Sequence, residues 1–180
     1  MTGDMIMAVL RALSLSETND FDALVNNGIV KVMMAVLKEA ESTYSANMSN
    51  RSVRMDCVMA CRNLSRNCDD EVLDKLVDDG ILDLLTICMK SADSMKIKRY
   101  VAQTICYLSV SQYNRGIIVQ NGSYVNVLVG FLKAGSLQLQ RETVCILHYL
   151  SLDKEHLPIL LNEGVYDIAT KLGMHSDAKI

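Results

Sequence analysis

The 180-residue chain has no tryptophan, one proline and two phenylalanines. Because proline breaks helix interiors and strand ladders alike, its scarcity leaves room for long uninterrupted helices. No apolar run reaches the roughly 20 residues needed to cross a bilayer, and no signal of the charged-then-apolar type precedes the longest runs. We therefore expect no membrane span. The lack of a secretory signal favours a cytoplasmic location, with the nucleus as the alternative.

An excess of one charge sign is also missing. The formal net charge is −3, with acidic and basic residues interspersed. Since nucleic-acid binding needs a basic field, we expect no nucleic-acid partner. A Gly-rich phosphate loop, a pair of catalytic carboxylates and a cofactor fingerprint are absent as well. These absences predict a protein that is not an enzyme and uses no cofactor.

The six cysteines show no C-x-x-C spacing, and in a chain without a secretory signal this indicates reduced thiols. Cys57, Cys61 and Cys68 could be considered as metal ligands. However, Cys57 and Cys61 align with plain core residues in the other copies of the repeat described below, where free cysteine behaves as a small hydrophobe. We predict no metal site. His148 and His156 have no identifiable partner for nucleophile or base chemistry.

What the sequence does contain is an internal repeat. Four similar segments end in a glycine: Leu24–Gly28, Leu76–Gly80, Ile118–Gly122 and Leu160–Gly164. These landmark glycines are 52, 42 and 42 residues apart, and a period of about 40–47 residues is typical of helical solenoids. A second landmark, a serine after a leucine, precedes each glycine by 13 to 15 residues: Ser14, Ser65, Ser109 and Ser151.

Between the landmarks, apolar residues recur at three- and four-residue spacing, which predicts helix throughout. In each repeat we expect a short first helix, a bend with positive φ at the landmark glycine, a second helix of about ten residues and a longer third helix. Residues that disfavour helix interiors mark the starts of the first helices: Asp22, Asp74, Gly116 and Pro158. The second helices are predicted at Ile29–Lys38, Ile81–Lys90, Tyr124–Lys133 and Val165–Leu172. The third helices are predicted from about Asn50, Lys96 and Gln138 to the landmark serines, with Asp4–Ser14 as an isolated third helix.

The chain resembles the armadillo repeat family in the segments Val25-Asn26-Asn27-Gly28-Ile29, Val119-Gln120-Asn121-Gly122 and Cys61-Arg62-Asn63-Leu64-Ser65. The resemblance covers nearly the whole chain and implies an all-α, right-handed α-solenoid of about four three-helix repeats. HEAT repeats, which have two helices, are the alternative because they share the period. The expected organisation is a single domain of residues 1–180. Its parts are a partial repeat at 1–15, repeats at 16–65, 66–109 and 110–151, and a partial repeat at 152–180.

Aligning the third helices by their landmark serines separates two faces. The first, which we call the core stripe, is apolar in nearly every position and is predicted to be buried. It comprises Val53, Cys57, Ala60, Cys61 and Leu64; Ile97, Val101, Thr104, Ile105 and Leu108; and Leu139, Thr143, Ile146, Leu147 and Leu150. Ile6, Val9, Leu10 and Leu13 continue it. The second, which we call the groove face, comprises Met55, Asp56, Met59 and Asn63; Lys96, Arg99, Tyr100, Gln103 and Tyr107; and Gln138, Arg141, Glu142 and Tyr149.

The resemblance assigns the groove face to a concave groove that holds a protein or peptide segment. Tyrosine and arginine, which recur in it, are enriched at binding hot spots. The alternative is an ordinary solvated helix face. One departure concerns the Trp and Asn pairs with which nuclear-import adaptors of the family grip basic peptides. The chain has no Trp, so binding of nuclear-localisation signals in that manner is not expected.

Two functions are therefore open. The first is a non-enzymatic adaptor that binds a partner segment in the groove, and the second is a structural fragment of a longer solenoid or a scaffold that self-associates through its terminal repeats. The repeat at residues 16–65 also carries eight extra residues, at Ser42–Ser49. We expect them to form a loop between the second and third helices, serving as a contact, as a phosphorylation site or as a tolerated insertion.

Overall fold

The structure, a computed structural model, describes residues 21–43, 48–89, 94–133, 136–168 and 170–171. Every regular element in these ranges is a helix, which confirms the all-α prediction. None of the described helices is both long enough and apolar enough to cross a bilayer. By their internal contacts the residues form two compact units, Met1–Leu108 and Ser109–Ile180.

The six described helices of the first unit form two sets of three, and the third helix of each set has the largest number of residues in its set. They are α1 Phe21–Asn26, α2 Ile29–Thr43, α3 Met48–Asn67, α4 Asp70–Asp78, α5 Ile81–Met89 and α6 Met95–Leu108. The long helix α3 contacts α1, α2 and α5, and α6 contacts α4 and α5. The two long helices α3 and α6 also pack against each other. This packing places the predicted third helices side by side.

The second unit continues the same order. Its described helices are α7 Gln112–Gln120, α8 Gly122–Lys133, α9 Leu137–Leu150 and α10 Leu157–Asn162, with a 3-10 turn at Lys154–His156 before α10. Residues 165–168 form the start of a further helix. The long helix α9 contacts both α7 and α8. Each short helix is thus followed by a second helix after a tight bend.

The core stripe is buried as predicted. All fifteen of its described members on α3, α6 and α9 are at most 9% exposed, and most are completely buried. Burying one leucine or isoleucine side chain contributes about 1.5–3 kcal/mol, so this stripe is a main source of stability. Thr143 keeps its hydroxyl satisfied by donating to the Leu139 carbonyl oxygen at 2.8 Å. The segment Asp4–Ser14 and its four stripe residues lie outside the described residues.

Three of the four landmark glycines form the predicted bend. Gly28, Gly80 and Gly164 have φ values of +79°, +94° and +74°, a conformation that glycine adopts without the penalty a side chain would bring. The prediction is wrong for Gly122, which begins α8. The bend there falls on Asn121, whose side-chain Oδ1 accepts a hydrogen bond from the Ser123 N–H at 3.2 Å. An asparagine cap therefore takes over the role of the glycine.

Two boundary predictions were also wrong. The helices α4 and α7 begin four residues earlier than expected, so Asp74 and Gly116 lie in helix interiors. Caps explain the earlier starts, because Asp69 accepts from the Val72 N–H at 3.0 Å and Ser111 accepts from the Asn114 N–H at 3.4 Å. Much of the insertion at Ser42–Ser49 is helical rather than looped, since α2 continues to Thr43 and α3 starts at Met48. Residues 44–47 lie outside the described residues.

One ion-pair cluster links the two repeats of the first unit. The carboxylate of Asp79 lies 2.9 Å from Lys31 Nζ on α2 and 3.2 Å from Lys75 Nζ on α4. Asp79 precedes the landmark glycine Gly80, and its side chain is only 6% exposed. The hydrogen bond from Lys31 holds the pKa of Asp79 below its ordinary value. The bend of one repeat is thereby tied to the second helix of the repeat before it.

Candidate functional site

The groove face lies on the long helices and outside the core. Nine of its thirteen residues are on α3 and α6 in the first unit, and four are on α9 in the second. None of the thirteen is buried: Lys96, Gln138 and Arg141 are exposed, and the other ten are half-buried. Because the core stripe on the same helices is fully buried, each long helix presents one apolar and one accessible side. The structure therefore separates the two faces as the serine alignment predicts.

Hydrogen bonds fix the spacing of α3 and α6 at this face. Arg62 Nη1 donates to Asn63 Oδ1 at 2.9 Å, and Arg62 Nε donates to Gln103 Oε1 on α6 at 3.2 Å. The planar guanidinium thus joins two groove-face amides that belong to neighbouring repeats. Arg62 therefore positions this part of the face.

Sequence reasoning missed Arg62 as a site residue. Its counterparts in the other long helices are Cys106 and His148, so its register is not consistently polar. The available signal was local, since an arginine next to Asn63 on a helix is within reach of the adjacent third helix. Only the packing of α3 on α6 shows that Arg62 contacts Gln103.

A basic and aromatic cluster lies on the groove face in the first half of α6. Lys96 Nζ lies 6.0 Å from the ring centroid of Tyr100, and Arg99 Cζ lies 5.8 Å from the same centroid. Both distances fall at the outer limit of cation–π contacts. Such a contact contributes about 0.5–1 kcal/mol at an accessible site. Two cations beside one ring create a positively charged patch next to the apolar surface of the ring. Such a patch suits a carboxylate that is adjacent to an apolar side chain.

The four members on α9 form the groove face of the second unit. Gln138 and Arg141 are exposed, while Glu142 and Tyr149 are half-buried. The Tyr149 ring contacts the His148 ring, with centroids 5.8 Å apart and planes tilted by 55°. Arg141 and Tyr149 have the same positions relative to Ser151 as Arg99 and Tyr107 have relative to Ser109. This register predicts that neighbouring repeats present the four residues as a ladder.

Three cysteines of the first unit are packing residues. Cys57, Cys61 and Cys88 are completely buried. Burial raises the pKa of the Cys61 thiol, and the Cys57 thiol together with burial raises that of Cys88. Such thiols stay protonated at neutral pH and are poor nucleophiles and ligands. Within the part of the chain that the structure describes, no group of three His, Cys, Asp or Glu residues is arranged to hold a metal ion.

The second unit contains one buried polar network that the sequence did not predict. Arg115 Nε donates to Asp153 Oδ2 at 2.6 Å, and Arg115 Nη1 donates to the Val110 carbonyl at 2.9 Å. His156 Nδ1 lies 3.1 Å from the Leu150 carbonyl oxygen. The hydrogen bond from Arg115 lowers the pKa of Asp153. Because every charged group points at the backbone or at another member, the network holds the turn after α9 rather than forming a reactive site.

Comparisons with known proteins show a similarity of fold but no family. No protein-family model matches the chain, and no curated protein matches it by sequence. Among solved structures, the chain is similar to the crystal structure of an engineered protein, a Northeast Structural Genomics Consortium target. The TM-score is 0.74 at 20% sequence identity, and the match covers 96% of this chain and 67% of the other. At this identity the similarity is one of fold.

Proposed function

We propose that the protein is a non-enzymatic interaction module, a solenoid of armadillo-type repeats that binds a segment of a partner protein on the groove face. The observation that carries the proposal is the division of α3 and α6 into a buried stripe and an accessible face held in register by Arg62. A solvated helix surface needs no such fixed spacing. A surface that must match a partner at several points gains affinity from being preorganised.

The chemistry of the face defines the partner segment. Lys96 and Arg99 beside Tyr100 favour a carboxylate, and the half-buried Met55, Met59 and Tyr107 offer apolar contact area. Methionine side chains adapt to different apolar shapes, and tyrosine rings supply rigid contacts. We therefore infer a partner segment, extended or helical, that combines acidic and apolar residues.

A peptide-display selection tests this function. The full chain would be presented with a random peptide library, and the selected sequences would be compared with those obtained on the double variant Arg99→Ala/Tyr107→Ala. The matched control is Lys133→Ala/Tyr113→Ala, which removes one exposed cation and one exposed tyrosine outside the groove face. We expect acidic and apolar peptides to be enriched by the wild type and the control but not by the groove variant.

Two results would contradict the proposal. One is an equal enrichment by the wild type and the groove variant, which would place binding elsewhere. The other is a failure of the wild type to enrich any peptide, combined with a solution mass of two or more copies. That combination would favour the alternative function, a self-associating scaffold.

A further inference from the structure

Two accessible methionines lie next to each other on the groove face of the first unit. Met55 and Met59 are four residues apart on α3, so their side chains are neighbours on consecutive turns of the helix. Both are half-buried, which leaves part of each side chain in contact with solvent, whereas Met33 in the core is completely buried. The pair therefore forms a small apolar patch that a solute can reach.

The repeat shows that the fold does not need an apolar residue at either position. Counted from the landmark serines, the same positions on α6 and α9 are filled by side chains that are not large and apolar: Arg99, Gln103, Arg141 and Cys145. None of these four residues is buried. A more polar side chain in the place of Met55 or Met59 is therefore compatible with folding.

Methionine differs from the other large apolar residues because its thioether sulfur is oxidised reversibly. Hydrogen peroxide transfers one oxygen atom to the sulfur: an S–O bond forms, the O–O bond breaks, and the other oxygen leaves with both protons as water. The sulfur is oxidised by two electrons and the peroxide is reduced by two. The product, methionine sulfoxide, is polar, and sulfoxide reductases return it to the thioether while a dithiol is oxidised to a disulfide.

We propose that Met55 and Met59 form an oxidation site that controls partner binding at the groove face. The inference rests on the proposed function, which assigns these two side chains to the apolar part of the partner contact. In the reduced state they bury apolar surface against the partner. In the oxidised state each carries an S–O dipole that must lose its water to reach the same contact, and this weakens binding. The fold is kept, because these positions accept polar side chains in the other long helices.

Other accessible methionines do not combine these properties. Met34 and Met89 lie on the second helices α2 and α5, and Met95 begins α6 without belonging to the groove face. Peroxide should oxidise these residues as well, since none of the three is buried. Substitutions are therefore needed to show which methionines change the affinity.

Peroxide treatment of the full chain provides the test. The probe is a fluorescently labelled peptide from the selection described above, and its affinity is measured by anisotropy before and after treatment. All samples are incubated with dithiothreitol, which reverses disulfide and sulfenic acid formation but leaves sulfoxides in place. We expect mass spectrometry to show one added oxygen on Met55 and on Met59, and the affinity to fall by about tenfold or more. Sulfoxide reductase should restore the affinity, and circular dichroism should show unchanged helix content.

A pair of double variants identifies the residues responsible. Met55→Leu/Met59→Leu keeps the apolar contact but removes both thioethers, so its affinity should change by less than about twofold on peroxide treatment. The matched control Met34→Leu/Met95→Leu removes two accessible methionines outside the groove face. It should lose affinity on treatment to the same extent as the wild type.

The possible results separate this inference from the function on which it rests. If the untreated chain binds no peptide from the library, the proposed function fails and the inference fails with it. If the untreated chain binds, and the chain oxidised at Met55 and Met59 binds equally well, only the inference is overturned. It is also overturned if Met55→Leu/Met59→Leu loses affinity on treatment as the wild type does, or if Met55 and Met59 are oxidised no faster than the buried Met33.

Discussion

Arg115 and Asp153, 38 residues apart in sequence, are joined by a hydrogen bond of 2.6 Å between Nε and Oδ2. Their side chains are 10% and 13% exposed, so the ion pair is largely removed from water. The guanidinium also donates to the carbonyl oxygens of Ser109 and Val110. The pair therefore connects α7 with the turn that follows α9.

We expect Asp153→Asn to lower the free energy of unfolding by about 2–3 kcal/mol. The substitution keeps the shape but removes the charge that compensates Arg115, and hydrogen bonds to charged groups contribute about 1.5–3 kcal/mol. Urea denaturation at neutral pH measures the loss. Lys154→Ala, which alters an exposed residue of the same turn, is the control and should stay within about 0.5 kcal/mol of the wild type. An equal loss of unfolding free energy in both variants would show that the ion pair of Arg115 with Asp153 does not stabilise the fold.

The same pair predicts a pH dependence. The folded state lowers the pKa of Asp153 below its ordinary value of 3.8 because the carboxylate accepts from Arg115. The stability that the charged form contributes is present above that value and is lost as the pH falls below it toward the folded pKa. The difference in unfolding free energy between wild type and Asp153→Asn should therefore shrink as the pH is lowered through 3.8 toward the folded pKa. A difference that is constant over this range would show that the charge is not involved.

Two landmark glycines should respond oppositely to alanine. No atom lies within 4 Å of a Cβ built at Gly80 or at Gly122, so steric crowding affects neither. Gly80 has φ +94°, where a side chain costs about 1–2 kcal/mol, and Gly80→Ala should destabilise by that amount. Gly122 begins a helix, and Gly122→Ala should leave the stability unchanged or raise it by up to about 1 kcal/mol. Thermal and urea unfolding of both variants compare the two sites.

The buried cysteines should behave as packing residues. Cys57→Val and Cys61→Val are close to volume-conserving, so each should change stability by less than about 1.5 kcal/mol. In the folded protein a thiol reagent should modify the exposed Cys145 first and Cys68 slowly, because burial and the nearby Asp22 raise the pKa of Cys68 to about 12. Mass spectrometry of the labelled peptides gives the order. Fast labelling of Cys61 without unfolding would contradict this account.

The groove face has its own energetic prediction. Against a peptide obtained from the selection described above, Arg99→Ala/Tyr107→Ala should weaken binding by about 2 kcal/mol or more. The thermal stability should change little, because neither residue belongs to the core stripe. The Lys133→Ala/Tyr113→Ala variant should bind normally. Retention of full affinity by the Arg99/Tyr107 variant would show that these residues are not hot spots.

The third-helix core could be predicted from the sequence, but several details of the bends and the groove face could not. Alignment on the landmark serines found every described stripe residue because burial imposes the same helical spacing in each copy. Gly122 was misassigned, since the neighbouring Asn121 can form the bend with its own side chain. The low helix propensity of Asp74 and Gly116 predicts helix starts at these residues, but the side-chain caps at Asp69 and Ser111 start both helices four residues earlier. Arg62 was missed because its role depends on the residue opposite it on another helix.

The position of Asp79 bears on how the first unit unfolds. In a repeat protein, cooperativity depends on the coupling between neighbours relative to the intrinsic stability of each repeat. Asp79 contributes to that coupling, since its carboxylate forms ion pairs with Lys31 of the preceding repeat and with Lys75 of its own. Loss of the preceding repeat leaves this carboxylate with only one of its two cations, and loss of its own repeat leaves Lys31 without this carboxylate. We therefore expect these repeats to unfold in a single step, and fraying of one repeat alone to be a minor event in hydrogen exchange.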